Sequence, residues 1–169
     1  MRVDYYHIGN AEEEIITIDK LYMAGLWAGS KKNLIDSFNN GRYYVKVYDF
    51  NSGKLIFSRG FDSYFGEYKT TEPAIKGKKR TYHETVLIPY PKNKIRIDFE
   101  VRGRDFNLKP FFSVTIDPKD IFIIKEKPRK DVEVIEVLKN GKPESMVDIA
   151  IVAEGYTKNE RDKLLKDLK

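Results

Sequence analysis

Turn residues cut most of this chain into short segments, one roughly every 8–12 positions, and no segment before residue 140 carries the pattern of a long helix. Gly9-Asn10, Asn39-Asn40-Gly41, Asn51-Ser52-Gly53, Asp117-Pro118 and Asn140-Gly141 are the clearest breaks. The runs between them read as strands over 3–8, 15–23, 43–50, 54–58, 83–88, 94–102, 111–116, 121–124 and 132–138. The run 94–102 alternates most cleanly. Ile95, Ile97, Phe99 and Val101 share one face, and Arg96, Asp98, Glu100 and Arg102 share the other. That is a half-buried antiparallel strand. In 43–50, Val45 and Val47 oppose Tyr44, Lys46 and Tyr48. The run 15–23 alternates in part, with Ile16, Ile18 and Tyr22 against Thr17, Asp19 and Leu21. Residues 59–71 are aromatic without a period and read as an ordered loop or short helical turn; 73–80 read as a basic loop. About nine short strands predict a mainly β fold over residues 1–143, a two-sheet antiparallel β-sandwich of immunoglobulin-like or jelly-roll type. Sequence does not order the strands.

Residues 144–169 have a different character. Val147 and the run Ile149, Ala150, Ile151, Val152, Ala153 suit a strand buried on both faces. Glu154-Gly155-Tyr156 turns the chain. Thr157 with Glu160 is a capping-box pattern that predicts a helix start. Leu164, Leu165 and Leu168 give that helix an apolar stripe. Strand, turn and helix are the opening unit of a truncated α/β domain. Left alone, the strand is expected to pair with a sandwich edge or to dock on another copy of the chain, with the three leucines facing the same surface.

Composition narrows the chemistry. The 169 residues include no cysteine, which excludes disulfides, thiolate metal sites and cysteine nucleophiles. The net charge of +5 is spread along the chain and does not imply nucleic acid. No run approaches the roughly 20 apolar residues of a membrane span, and the N-terminus has no signal core.

No catalytic, cofactor-binding or metal-binding residue is assigned. His7 and His83 sit in strand-like runs and read as structural or surface residues. His83-Glu84 is followed by Thr85, Val86 and Leu87, so no second histidine falls one helical turn later. Asp117, Asp120 and Glu126 lack the spacing of a calcium loop. The basic stretch from Lys76 to Arg80 reads as a solvated loop. The candidate interaction surface is aromatic: Trp27, Tyr64, Phe65 and Tyr68, as a platform for sugar or peptide or a contact for a further domain, with core packing as the alternative.

Four stretches, VDYYHIGNAEEE, GLWAGSKKNLID, FSRGFDSYFGEYKTT and VDIAIVAEGYT, occur in the order seen in a known family. Through them the chain resembles the N-terminal part of the immunoglobulin-A peptidase family of zinc metalloendopeptidases. The resemblance implies a β-sandwich that precedes a zinc-dependent catalytic domain, whose zinc motif falls beyond Lys169. It implies a non-catalytic role, supporting the catalytic domain or presenting substrate to it. Zinc is expected in that missing domain and not in this chain. The expected location is secreted, periplasmic or cell-surface in a bacterium, with the signal peptide removed. The expected partner is the chain's own C-terminal catalytic domain. The alternative is an independent carbohydrate- or protein-binding module. The family's name does not make immunoglobulin the substrate.

Overall fold

A computed structural model describes residues 1–25, 27–127, 134–142, 145–147 and 149–168. The chain divides into two compact units, Met1–Trp27 with Lys31–Lys127, and Ala28–Ser30 with Pro128–Lys169. The boundary expected at residue 143 falls outside the described residues.

The first unit holds eight strands: β1 (Arg2–Gly9), β2 (Glu14–Met23), β3 (Tyr43–Asp49), β4 (Leu55–Phe61), β5 (Arg80–Leu87), β6 (Ile95–Arg102), β7 (Leu108–Ile116) and β8 (Ile124–Lys125). They form two four-stranded sheets, ordered β5-β1-β2-β8 and β4-β3-β6-β7. Every pairing is antiparallel except that of β2 with β8. Val3, Tyr5, Ile16 and Val86 from the first sheet share a core with Val45, Val47, Phe57, Ile97, Phe99 and Ile116 from the second. The expected β-sandwich is the fold observed.

The alternation in β6 holds for its apolar face: Ile95, Ile97 and Phe99 are buried. Its polar face is not simply solvated. Asp98 and Glu100 are buried too, because long neighbours cover them. Ser113 donates to Asp98 at 2.7 Å, Arg96 Nε lies 3.0 Å from Asp98, and Lys46 Nζ lies 2.7 Å from Glu100. Charged stems lie along the sheet while their heads neutralise the acids.

β2 departs from the expected alternation for a geometric reason. A register shift opposite Asp4 and Tyr5 pairs Asp4 with Lys20 but Tyr5 with Ile18. The extra residue, Asp19, reverses the phase beyond it. Leu21 therefore packs on the core with Ile16 and Ile18. Tyr22 turns outward, where the Arg2 guanidinium lies 3.9 Å from its ring centroid.

The aromatic stretch after β4 forms α1 (Tyr64–Tyr68), capped by Ser63, whose hydroxyl accepts from Gly66 N at 3.1 Å. The stretch read as a basic loop opens inside a second short helix, α2 (Glu72–Ile75), with Pro73 in its first turn. Phe65, Tyr68 and Ala74 make a second buried cluster, against which Tyr82 and Ala11 pack.

In the second unit, the described residues of the expected 132–138 strand, 134–138, form none; 132 and 133 lie outside the described residues. The described residues of the strand expected over 147–153 form none either; 148 lies outside the described residues. Val147, Ile149 and Val152 are more than four-fifths exposed, and the described residues of this stretch carry no ladder bonds. An apolar run becomes a strand only where a neighbour takes its backbone groups. The helix start is as expected. Glu160 Oε2 accepts from Thr157 N at 2.9 Å and from its hydroxyl at 2.8 Å. A 3-10 turn over Lys158–Glu160 leads into α3 (Arg161–Asp167), and Leu164, Leu165 and Leu168 are half-buried. No helix among the described residues is long and apolar enough to cross a membrane.

Candidate functional site

Strand alternation places three titratable residues inward. His7 has the parity of Val3 and Tyr5 in β1. Glu84 has that of Val86 in β5, and Glu14 that of Ile16 in β2. Registry then puts Glu84 opposite Tyr5 and Tyr82 opposite His7, so the charged groups converge at one end of the sandwich.

His7 is 1% exposed. Its Nε2 lies 2.9 Å from Glu14 Oε1, and its Nδ1 lies 3.0 Å from Glu84 Oε2. With a carboxylate on each ring nitrogen, the imidazole donates at both and carries a positive charge. Burial opposes that charge, but the bonds to Glu14 and Glu84 outweigh it and hold the His7 pKa above its ordinary value. Lys69 Nζ pairs with the other Glu14 oxygen. Burial pushes Glu14 up, yet the bonds from His7 and Lys69 leave it below the usual carboxylate range. Glu84 is likewise opposed by burial and lowered by His7, by Phe65 N at 3.2 Å and by the Tyr5 hydroxyl at 3.0 Å. Burial first, and then the adjacent glutamates, raise the pKa values of Tyr5 and Tyr43. Two cations face two carboxylates, so the cluster is balanced in charge. The Phe65 ring stacks on His7 at 4.0 Å between centroids and closes it from solvent.

These donors do not fit a zinc ion. Both nitrogens of His7 are aimed at carboxylates, and Lys69 occupies Glu14. A zinc ligand set needs lone pairs converging on one empty point. Among the described residues, no group of three or more histidine, aspartate or glutamate side chains is arranged to hold a metal.

Above this network an open groove of about 520 Å³ separates β5 from the segment that leads into α1. Phe61, Asp62, Tyr64 and Glu67 line one side and His83 and Thr85 the other, while Tyr5 and Glu84 reach it from within. Tyr64 is 79% exposed. A second recess, about 350 Å³, lies around Asp36, Phe38, Arg59 and Asp62. There Asp36 accepts from the Tyr44 hydroxyl at 2.6 Å, from Phe38 N at 2.8 Å and from Gly60 N at 3.1 Å. The Tyr44 bond, foremost, lowers the Asp36 pKa.

The four aromatics singled out in the sequence do not share one surface. Trp27 is half-buried and meets Phe57 edge-on at 5.8 Å. Phe65 and Tyr68 are buried in the second cluster. Tyr64 alone is exposed, at the groove. The residues that sequence reasoning passed over are Glu14, Glu84 and Lys69. The available signal was a charged residue at an inward position in each of two alternating strands.

Two stacked, mainly antiparallel sheets with a helical cluster at one end define a β-sandwich domain. The family model of the peptidase M64 N-terminus matches residues 1–113, which covers β1 through β6 and most of β7. The chain belongs to that family. No match was found among curated proteins.

Proposed function

We propose that this chain is the non-catalytic N-terminal domain of a secreted zinc metallopeptidase, supporting the catalytic domain or presenting substrate to it. The observation that carries the reading is the family match, which lies wholly within the residue range of the sandwich. The strongest titratable cluster supports a structural role. It is mostly buried and balanced in charge, with both nitrogens of His7 and the carboxylates of Glu14 and Glu84 engaged in internal bonds, whereas a catalytic acid or base needs access to a reacting group. In this reading the zinc and its ligands belong to a catalytic domain beyond Lys169, and that domain is the partner. The exposed apolar residues Val147, Ile149 and Val152 then become a buried strand of that domain.

The test compares residues 1–169 with the natural protein from which they come, and with that protein lacking residues 1–127. Chelator-sensitive peptide cleavage is expected from the natural protein, not from residues 1–169, and reduced in the shortened form. Stoichiometric zinc in dialysed residues 1–169, together with chelator-sensitive cleavage, overturns the proposal.

A further inference from the structure

The sandwich has four edge strands, and three of them are blunted. β8 has two residues and pairs only with Tyr22 and Met23, and the length of β2 it leaves uncovered is kinked by the bulge at Asp19. β7 contains Pro110 and faces a register shift at Phe99 and Glu100. Beside β4 the chain folds back, so that Ser58 N donates to Leu34 O at 2.9 Å and Gly60 N to Asp36 at 3.1 Å. Natural sheets use such devices to prevent further pairing.

β5 is left open. Met1 and Ile88 exchange two bonds, Met1 N to Ile88 O at 2.6 Å and Ile88 N to Met1 O at 2.9 Å. The register runs without a shift from there, so Val86, Glu84 and Tyr82 also face β1. The N–H and C=O groups of Thr81, His83, Thr85 and Leu87 therefore point away from the sheet. No bond to any of these groups is formed among the described residues. The groove runs along this edge at His83 and Thr85. Its far wall carries an exposed aromatic ring, Tyr64, and the carboxylates of Asp62 and Glu67. Neither carboxylate forms an ion pair among the described residues, although Asp62 accepts from Arg42 N at 2.9 Å.

We propose that the β5 edge and its groove bind an extended peptide segment of a protein partner as an added strand, with Lys or Arg side chains of that segment facing Asp62, Glu67 and Tyr64. Backbone pairing supplies the register, and alternate side chains fall into the groove. A cation there meets two unpaired carboxylates and an aromatic face. The inference deepens the substrate-presenting reading and rests on that reading for its purpose.

The experiment uses residues 1–169 and two labelled peptides of about eight residues, one alternating Thr and Lys, the other Thr and Glu. Fluorescence anisotropy at low salt reads affinity, and residue-resolved amide exchange reads location. The Lys peptide is expected to bind at least about tenfold tighter than the Glu peptide and to slow exchange at Thr81, His83, Thr85 and Leu87. Asp62→Asn with Glu67→Gln should bring the two affinities together. Thr85→Pro removes an outward donor while leaving the β1 ladder in place, and should abolish binding of both peptides. Should that variant unfold, the Asp62, Glu67 pair decides. Equal affinity for the two peptides, no binding up to millimolar concentration, or protection elsewhere each overturns the proposal. Binding as described, with full peptidase activity retained after removal of residues 1–127, refutes the supporting role and leaves the peptide site standing. Loss of activity on that removal, with no peptide binding, does the reverse.

Discussion

His7 Nε2 and Glu14 Oε1 lie 2.9 Å apart across the β1–β2 ladder, inside the sandwich. The pair is half of a clamp, for Glu84 holds the opposite ring nitrogen from β5. One imidazolium thus joins three consecutive strands of the first sheet from their inner face.

The clamp makes stability depend on pH from both sides. The His7 pKa is raised, so its contribution is complete below the ordinary imidazole value of about 6.5 and fades as pH climbs through the raised folded value. Those of Glu14 and Glu84 are lowered, so their contribution is complete above about 4.3 and fades as pH falls through the depressed folded values. The urea midpoint should be greatest between those limits and decline on either side. His7→Phe should cost about 3 kcal/mol, because two largely enclosed carboxylates each lose one partner while Glu14 keeps Lys69 and Glu84 keeps Tyr5 and Phe65 N, and should erase the alkaline decline. An alkaline arm unchanged in the variant would show that another group causes it.

Asp36 and Tyr44 offer a spectroscopic check. Burial and the Asp36 bond push the Tyr44 hydroxyl up to about 12. Asp36→Asn removes the charge, so ultraviolet titration should find Tyr44 ionising at lower pH, while burial keeps it above the ordinary value of about 10. The same change weakens the acceptor for Phe38 N and Gly60 N and should cost about 1–3 kcal/mol. No movement of the tyrosine titration would mean that Asp36 does not perturb it.

In β6 the two faces can be weighed separately. Ile97→Ala opens a cavity at a fully buried site and should cost about 2–5 kcal/mol. Arg96→Ala removes an exposed partner of Asp98, which keeps its bond from Ser113, and should cost about 1 kcal/mol or less. Chemical denaturation of both variants measures the contrast, and a reversed order would invert the register.

Two glycines separate space from conformation. A Cβ at Gly60 would sit 1.9 Å from Asn40 O, a backbone atom, whereas one at Gly53 meets nothing within 4 Å. Gly53 has φ +67, so Gly53→Ala carries only the left-handed penalty of about 1 kcal/mol. Gly60→Ala must displace the backbone of 39–41 and should lower the melting temperature further. Equal losses would place the cost in conformation alone.

The sandwich was legible because alternation survives wherever one face is apolar. Ile95, Ile97 and Phe99 show it without interruption, and Val45 and Val47 repeat it. Alternation failed at Asp19, since a bulge depends on the partner strand and leaves no mark in its own. The buried network was readable only as an anomaly. His7, Glu14 and Glu84 are polar at inward positions, and their meeting needs the β5-β1-β2 order, which no single strand encodes. The apolar run from Val147 had the composition of a strand, but composition supplies no ladder partner. The Thr157–Glu160 capping box was predicted correctly because it is local and complete within four residues.

Arg102 sets how this domain can vary in length. Its guanidinium donates to Gly41 O, Asn39 O and Phe106 O, each at 2.9 Å, and so ties the loop before β3 to the loop after β6. Asn39 and Phe106 are the two non-glycine residues with positive φ among those described, one in each tied loop. Residues added to either loop would unload the same cation, so the two loops must change together or not at all. Among the described residues, the bonds of the hairpin turn at Asn51–Gly53 are local, chiefly to Asp49, and the nearest link to another segment is Phe50 N to Lys94 O at 3.0 Å, before the turn. Insertions there meet little beyond the entropy of closing a longer loop, and that turn is where relatives of different length should diverge first.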